Sequence, residues 1–132
     1  SSLHKDLTNI FFSSFQVELD SFSLDIARGM GYLANLNITH GDLAARNCLV
    51  NYNDKSGQFT VKISDFGMTR ALMKDYEYYE VYHLKPEQNI ALRWAAPETF
   101  LKRIFSKKSD VWSYGVTLWE IYTTTKVRTF YK

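Results

Sequence analysis

Apolar residues recur at helical spacing from roughly Val17 to Leu36. Phe22, Ile26, Met30 and Leu33 share one side, with Leu24, Ala27 and Ala34 beside them, which predicts an amphipathic helix that delivers the chain to Ile38-Thr39-His40. Cys48-Leu49-Val50 and Thr60-Val61-Lys62-Ile63 read as two short strands, joined by the turn-rich stretch Asn53-Asp54-Lys55-Ser56-Gly57. From Met68 to Ile90 the pattern is irregular and polar, which predicts a mobile surface loop. Val111 to Tyr122 then reads as a buried helix capped by Ser109, with Trp112, Gly115, Leu118 and Trp119 as its apolar side. The elements together predict a mainly α chain with one short β-hairpin.

Gly29-Met30-Gly31-Tyr32-Leu33-Ala34 satisfies a loose G-x-G-x-x-A dinucleotide pattern. It lies inside a helical period and follows no strand, so helix packing is the better reading, the small residues letting another helix approach closely.

Composition narrows the function classes. With 132 residues, 45% hydrophobic and 16% aromatic, the chain can bury one modest core, and no long Pro, Gly or Ser tract divides it into domains. The formal charge of +2, with signs interspersed, argues against a dedicated nucleic-acid binder. Lys102-Arg103 and Lys107-Lys108 form the one basic cluster, read as a solvated loop. Cys48 is the sole cysteine, so no internal disulfide can form; a reducing compartment and a buried strand position are expected for it. No apolar run approaches membrane-spanning length and the amino terminus lacks signal-peptide character, which predicts a soluble segment without membrane contact. The sequon Asn37-Ile38-Thr39 is read as fortuitous.

The candidate chemistry sits in His40-Gly41-Asp42-Leu43-Ala44-Ala45-Arg46-Asn47 and in Asp65-Phe66-Gly67. A hydroxyl that attacks a phosphate is oriented by a carboxylate, while Mg²⁺ held on carboxylate and amide oxygens neutralises the phosphates. Asp42 suits the first task. Asn47 and Asp65, flanking one hairpin, suit the second and can face the same metal.

With these residues in view, the chain resembles the C-terminal lobe of a protein tyrosine kinase domain. His40-Gly41-Asp42 with Asn47 is similar to the catalytic loop and Asp65-Phe66-Gly67 to the metal-binding motif that opens the activation segment. Ala96-Pro97-Glu98 is similar to that segment's closing motif, and Asp110-Val111-Trp112-Ser113-Tyr114-Gly115 to the start of the lobe's central helix. Four motifs in the family's order are far more specific than any one alone. Ala44 stands where serine/threonine kinases usually carry Lys, and Ala44-Ala45-Arg46 together with Arg93-Trp94 resembles the tyrosine-specific form. Ala91 replaces the Pro often found three residues before that Trp.

The resemblance implies a partial protein-kinase-like fold (α+β) over residues 1–132, running from just after the interlobe hinge to just past the central helix. The amino-terminal lobe, with its glycine-rich loop and V-A-I-K lysine, and the last helices are expected to lie outside it. It also implies ATP and Mg²⁺ (or Mn²⁺) as cofactors and a protein or peptide tyrosine as substrate. Asp42 would be the base, Arg46 the charge stabiliser, and Asn47 and Asp65 the magnesium ligands. His40 and Asp110 would support the loop, Asp110 bracing it from below. Glu98 pairs in the family with an Arg of the last helices, so here a buried, unpaired charge is expected. The setting implied is the cytoplasm or the cytoplasmic side of a membrane receptor. Alone, the 132 residues are expected to bind nucleotide poorly and to show no measurable catalysis. A pseudokinase acting through protein contacts is the alternative reading, which retention of Asp42, Arg46, Asn47 and Asp65 disfavours.

Asp75-Tyr76-Glu77-Tyr78-Tyr79-Glu80-Val81-Tyr82 resembles an autophosphorylation segment, with Tyr78 and Tyr79 ahead of Tyr76 and Tyr82. Gly41 departs from the family, which usually has there an Arg that pairs with the phosphorylated loop. Gly removes that charge. Loop phosphorylation of the intact protein is therefore predicted to change its rate only weakly, and a large activation abolished by Tyr78→Phe and Tyr79→Phe would contradict this.

Overall fold

The computed structural model describes residues 2–74 and 80–130, with side chains described for 16–72 and 80–123. The first helix, α1 (Ser2–Asn35), is longer than its apolar period predicts, because no Pro interrupts residues 2–35 and nothing stops the helix until its carboxyl end. There Leu36 N–H bonds the Leu33 carbonyl at 3.1 Å and Asn37 N–H the Ala34 carbonyl at 3.1 Å. Asn37 takes φ 55°, the left-handed turn that ends many helices. The Asn37 side chain accepts a bond from Lys107 Nζ at 2.5 Å, so the sequon asparagine has a structural task.

Short strands follow. β1 (Ile38–Thr39) pairs antiparallel with β4 (Arg70–Ala71), Thr39 opposite Arg70. β2 (Cys48–Asn53) and β3 (Gln58–Ile63) form the expected hairpin, extended at its turn end into Asn53 and Gln58, with Cys48 opposite Ile63. Its turn is closed by Asn53, whose Oδ1 accepts the Lys55 and Ser56 N–H groups at 2.9 and 3.3 Å, the Asx geometry that makes Asn a turn former. A third sheet joins β5 (Met73–Lys74), β6 (Glu80–His83) and β7 (Ile104–Ser106), with β6 in the middle. The segment 68–90, read from sequence as an irregular loop, thus contributes β4, β5 and β6 among the described residues. Each is too short to show a period. The observed fold remains three helices with small antiparallel sheets.

α2 (Pro97–Lys102) starts with Pro at its first turn and ends where Arg103 adopts φ 52°. α3 (Lys107–Phe130) starts earlier than predicted. Its cap is Ser106, not Ser109. Ser106 Oγ accepts the Ser109 N–H at 3.1 Å while Ser109 Oγ accepts the Ser106 N–H at 2.9 Å, a reciprocal box with Ser in the place usually held by Glu.

The core lies where α1 crosses the hairpin and α3. Ile26, Leu43 and Val61 are buried at its centre, with Phe22, Met30, Ile63, Tyr114 and Ile121 packed around them. α1 comes close to β3 at Gly29, where an added Cβ would stand 2.8 Å from Ile63 Cδ1. The small residue admits a strand, where a helix was expected. Tyr114 Oη donates to the Ser23 carbonyl at 2.9 Å, and Tyr122 Oη bonds Asp20, stitching α3 to α1. The apolar side assigned to α3 is reversed. Trp112 and Trp119 are 50% and 66% exposed, and the inward stripe is Asp110, Ser113, Tyr114, Thr117, Glu120 and Ile121.

Two measurements check this packing. Ile26→Ala should cost about 2–4 kcal/mol in denaturant unfolding, since the site is enclosed on every side and collapses poorly. Cys48 opens β2 half-buried, and burial, reinforced by Glu120, pushes its thiol up to about 11. The unfolded thiol releases its proton near 9 and the folded one does not, so this residue lowers stability as pH rises from about 9 to 11. Alkylation of Cys48 at pH 8 should run about tenfold or more slower in the folded chain than in the denatured one.

Candidate active site

Between β1 and β2 the chain has few backbone partners of its own, so side chains from elsewhere must satisfy it. Asp110, buried in the first turn of α3, accepts the His40 N–H at 2.8 Å on Oδ2 and the Gly41 N–H at 3.1 Å on Oδ1. Burial pushes its carboxyl above the usual range, and the two N–H donors pull it back. Both bonds join the first turn of α3 to the loop backbone just before Asp42.

His40 is wholly buried. Its Nδ1 accepts the Asp42 N–H at 3.1 Å, which places the ring proton on Nε2, where it is donated to the Ser64 carbonyl at 3.0 Å. The ring also lies 5.3 Å from that of Phe66, so one histidine ties the loop to the strand end that precedes Asp65. Gly41 takes φ 77°, and a Cβ there would stand 2.8 Å from Phe105 Cε2 and 3.0 Å from the Met68 carbonyl. Phe105 fills the space beside the position where the family carries Arg.

Asp42 projects from this frame. Arg46 Nη2 donates to its Oδ1 at 2.6 Å, while Asn47 Nδ2 donates to its carbonyl at 2.7 Å and to Oδ2 at 3.3 Å. The amide nitrogen of Asn47 is thereby committed to Asp42, leaving Asn47 Oδ1 to accept or ligate. The Asn47 carbonyl accepts both the N–H and the Oγ–H of Ser64, at 2.8 and 2.9 Å, which sets Asp65 beside it. Asp65 has φ 60° and is exposed, its Oδ1 accepting the Gly67 N–H at 3.3 Å.

Among the described residues no group of three or more His, Cys, Asp or Glu could hold a metal by itself. Asn47 Oδ1 and the Asp65 carboxylate are hard oxygens on adjoining backbone segments, joined through the Ser64 bonds to the Asn47 carbonyl. That set fits a magnesium whose remaining ligands are phosphate and water, and it does not fit zinc.

Sequence reasoning missed Glu120. Its Oε2 accepts the Ala45 N–H at 2.9 Å and the Trp94 indole N–H at 2.8 Å. The Trp94 ring in turn lies under the Arg46 guanidinium, 4.5 Å from its carbon. The available signal was a polar stripe on α3, with Asp110, Ser113, Thr117 and Glu120 at helical spacing.

His40, Asp42, Arg46, Asn47, Asp65 and Asp110 are therefore gathered in one place. Glu98 and Tyr82 are not. Glu98 stands half-buried in the first turn of α2, not fully buried as expected, and has no ion pair among the described residues. Tyr82, on β6, is half-buried, with Oη bonded to Gln88 at 3.4 Å and its ring beneath Arg70. Tyr76, Tyr78 and Tyr79 lie outside the described residues.

Known proteins share this arrangement's sequence. The chain is 47% identical over 105 residues to fibroblast growth factor receptor 1 of Dugesia japonica, covering 80% of this chain and 11% of the relative. It is 50% identical over 105 residues to a class II receptor tyrosine kinase of Geodia cydonium, covering 79% and 16% respectively. It is 42% identical over 107 residues to the human proto-oncogene tyrosine-protein kinase ROS, covering 81% and 4%. The chain thus spans less than a fifth of the length of these relatives. The family described as protein tyrosine and serine/threonine kinase matches residues 2–130, nearly the whole chain, and the protein belongs to that family.

Proposed function

We propose that this chain is the catalytic floor of a protein tyrosine kinase, part of the carboxy-terminal lobe that transfers the γ-phosphoryl group of ATP to a protein tyrosine hydroxyl. The observation that carries this reading is the Asp42 carboxylate, held by Arg46 on one oxygen and Asn47 on the other, with the Ser64 bonds to the Asn47 carbonyl tying this loop to the strand end that leads into Asp65.

The roles follow from what each group can still do. Asp42 orients the phenol hydroxyl and takes its proton. Arg46 keeps a positive charge beside that carboxylate and is 46% exposed, so it can also meet the incoming substrate. Asn47 Oδ1 and Asp65 would hold magnesium, which would supply charge neutralisation to the phosphates of ATP. A shallow depression beside Asp42, lined by Gly41, Ile90, Ala91, Trp94 and Phe105, offers the phenol a partly apolar approach. The two relatives named as tyrosine kinases support tyrosine as the acceptor. Ala44-Ala45-Arg46 supports the same choice, because a phenolic hydroxyl stands farther from its backbone than a serine hydroxyl.

The family implies a setting in the cytoplasm or on the cytoplasmic side of a receptor. No helix among the described residues is long and apolar enough to cross a membrane.

The test is phosphate transfer to poly-Glu-Tyr by the full-length protein and its Asp42→Asn variant. Loss of the base should lower kcat by about 10²-fold or more, with the KM for ATP little changed. Equal rates for the two would rule out Asp42 as the group that receives the proton. Transfer by neither would favour the pseudokinase reading.

A further inference from the structure

The short 3-10 turn Ala45–Asn47 carries two groups on which the proposed chemistry depends, Arg46 and Asn47, and it has no cap of its own. Ala44 stands at the cap position without a side-chain acceptor, so the first N–H of the turn, that of Ala45, would be an orphan donor. Glu120 meets it from α3 at 2.9 Å. The same oxygen receives the Trp94 indole N–H at 2.8 Å, and the face of Trp94 receives the Arg46 guanidinium at 4.5 Å. Arg46 Nη2 then reaches Asp42 Oδ1 at 2.6 Å. One carboxylate oxygen therefore fixes both the backbone that carries Arg46 and the ring against which its guanidinium rests. Two further bonds hold the Trp94 backbone in place: Ser113 Oγ donates to the Trp94 carbonyl at 2.8 Å, and the Trp94 backbone N–H donates to the Ala91 carbonyl at 3.0 Å.

We infer that Glu120 is a positioning residue for phosphoryl transfer, setting the Arg46 guanidinium against Asp42 through the Ala45 N–H and the Trp94 ring. The inference rests on the kinase reading, because it assigns to Glu120 a share of the same reaction. Without Glu120, the Ala45 N–H loses its acceptor and the indole is free to rotate about its side-chain bonds. Arg46 is a long side chain with several rotamers, and it then loses the surface that selects one of them. A misplacement of about 1 Å at a catalytic group is enough to cost about 10²-fold in rate. The carboxylate charge is not what the geometry uses. Gln presents an amide oxygen at the same distance along the side chain and accepts the same two N–H groups. Phe in place of Trp94 keeps a ring under Arg46 but gives up the N–H.

The experiment compares the full-length protein with Glu120→Gln, Glu120→Ala, Trp94→Phe and the double variant Glu120→Ala/Trp94→Phe in transfer to poly-Glu-Tyr. Glu120→Ala should lower kcat by about tenfold or more and leave the KM for ATP within about twofold, because the lost contacts face the acceptor side. Glu120→Gln should stay within about threefold of the parent. Trp94→Phe should lose rate in the same direction, and the double variant should be little worse than Glu120→Ala, since both act through one chain of contacts. If Glu120→Ala does not fold, Trp94→Phe decides on its own, an unchanged kcat overturning the inference. Equal losses for Gln and Ala, or losses that multiply in the double variant, would also overturn it. A parent that transfers no phosphate defeats the kinase reading itself, whereas an active parent whose rate Glu120→Ala leaves intact defeats only the role of Glu120.

Discussion

The Asp110 carboxylate accepts the backbone N–H groups of His40 and Gly41, and the placement of every other group in the site follows from that pair of bonds. A buried carboxylate is costly without partners, and bonds to a charged acceptor contribute about 1.5–3 kcal/mol each. Satisfying Asp110 therefore fixes the two residues that precede Asp42. With their backbone set, His40 can turn Nδ1 to the Asp42 N–H and Nε2–H to the Ser64 carbonyl, which locks the base to the segment that leads into Asp65. A helix terminus contributes as well. Asp110 lies in the first turn of α3, where the helix favours negative charge.

α3 also sets the length of the loop it holds. Asp110 and Glu120 are ten residues apart on one helix, about 15 Å along its axis. The first grips the loop at His40 and Gly41, the second at Ala45. Asp42, Leu43 and Ala44 span the interval, with Leu43 driven into the core beside Ile26 and Val61. The catalytic stretch is thus clamped by two acids on its helix side and anchored by one apolar side chain between them. That arrangement explains why residues 111–123 of α3 turn their wide aromatic surface outward.

This is also where the sequence misleads. Trp112, Leu118 and Trp119 dominate any apolar count of α3, so the period places its buried face on them. A helix that must serve a loop with free N–H groups presents acceptors to it, and the true inward stripe mixes Asp110, Ser113, Thr117 and Glu120 with Tyr114 and Ile121. Ser113 and Thr117 tolerate their inward positions because each hydroxyl finds a carbonyl, that of Trp94 for Ser113 and that of Ser113, one turn back, for Thr117. By contrast, the proposed catalytic groups are named from the sequence because their residue types and spacing suit the reaction. Gly29 was legible as a packing glycine, but its partner Ile63 comes from a strand remote in sequence. The short strands in 70–83 left no signal, since two to four residues cannot display alternation. The reading of Ser109 as a cap failed by one turn because Ser106 and Ser109 satisfy each other's N–H, and composition alone does not say which one stands outside the helix.

Bond lengths around Asp42 distinguish its two oxygens for the proposed reaction. Oδ1 is occupied by Arg46 at 2.6 Å, a short charge-assisted contact, whereas Oδ2 meets, among the described residues, the Asn47 amide at 3.3 Å. For the proposed phenol acceptor, reached along the depression beside Gly41 and Trp94, the least engaged carboxylate oxygen is Oδ2. Asn47 loses little when its weak contact is displaced, because its nitrogen keeps the 2.7 Å bond to the Asp42 carbonyl. The oxygen left to Arg46 holds the carboxylate plane while the other oxygen works. Gly41 fits the same economy of space. A side chain at φ 77° would press on Phe105, so the packing of β7 against the loop leaves room only for glycine there.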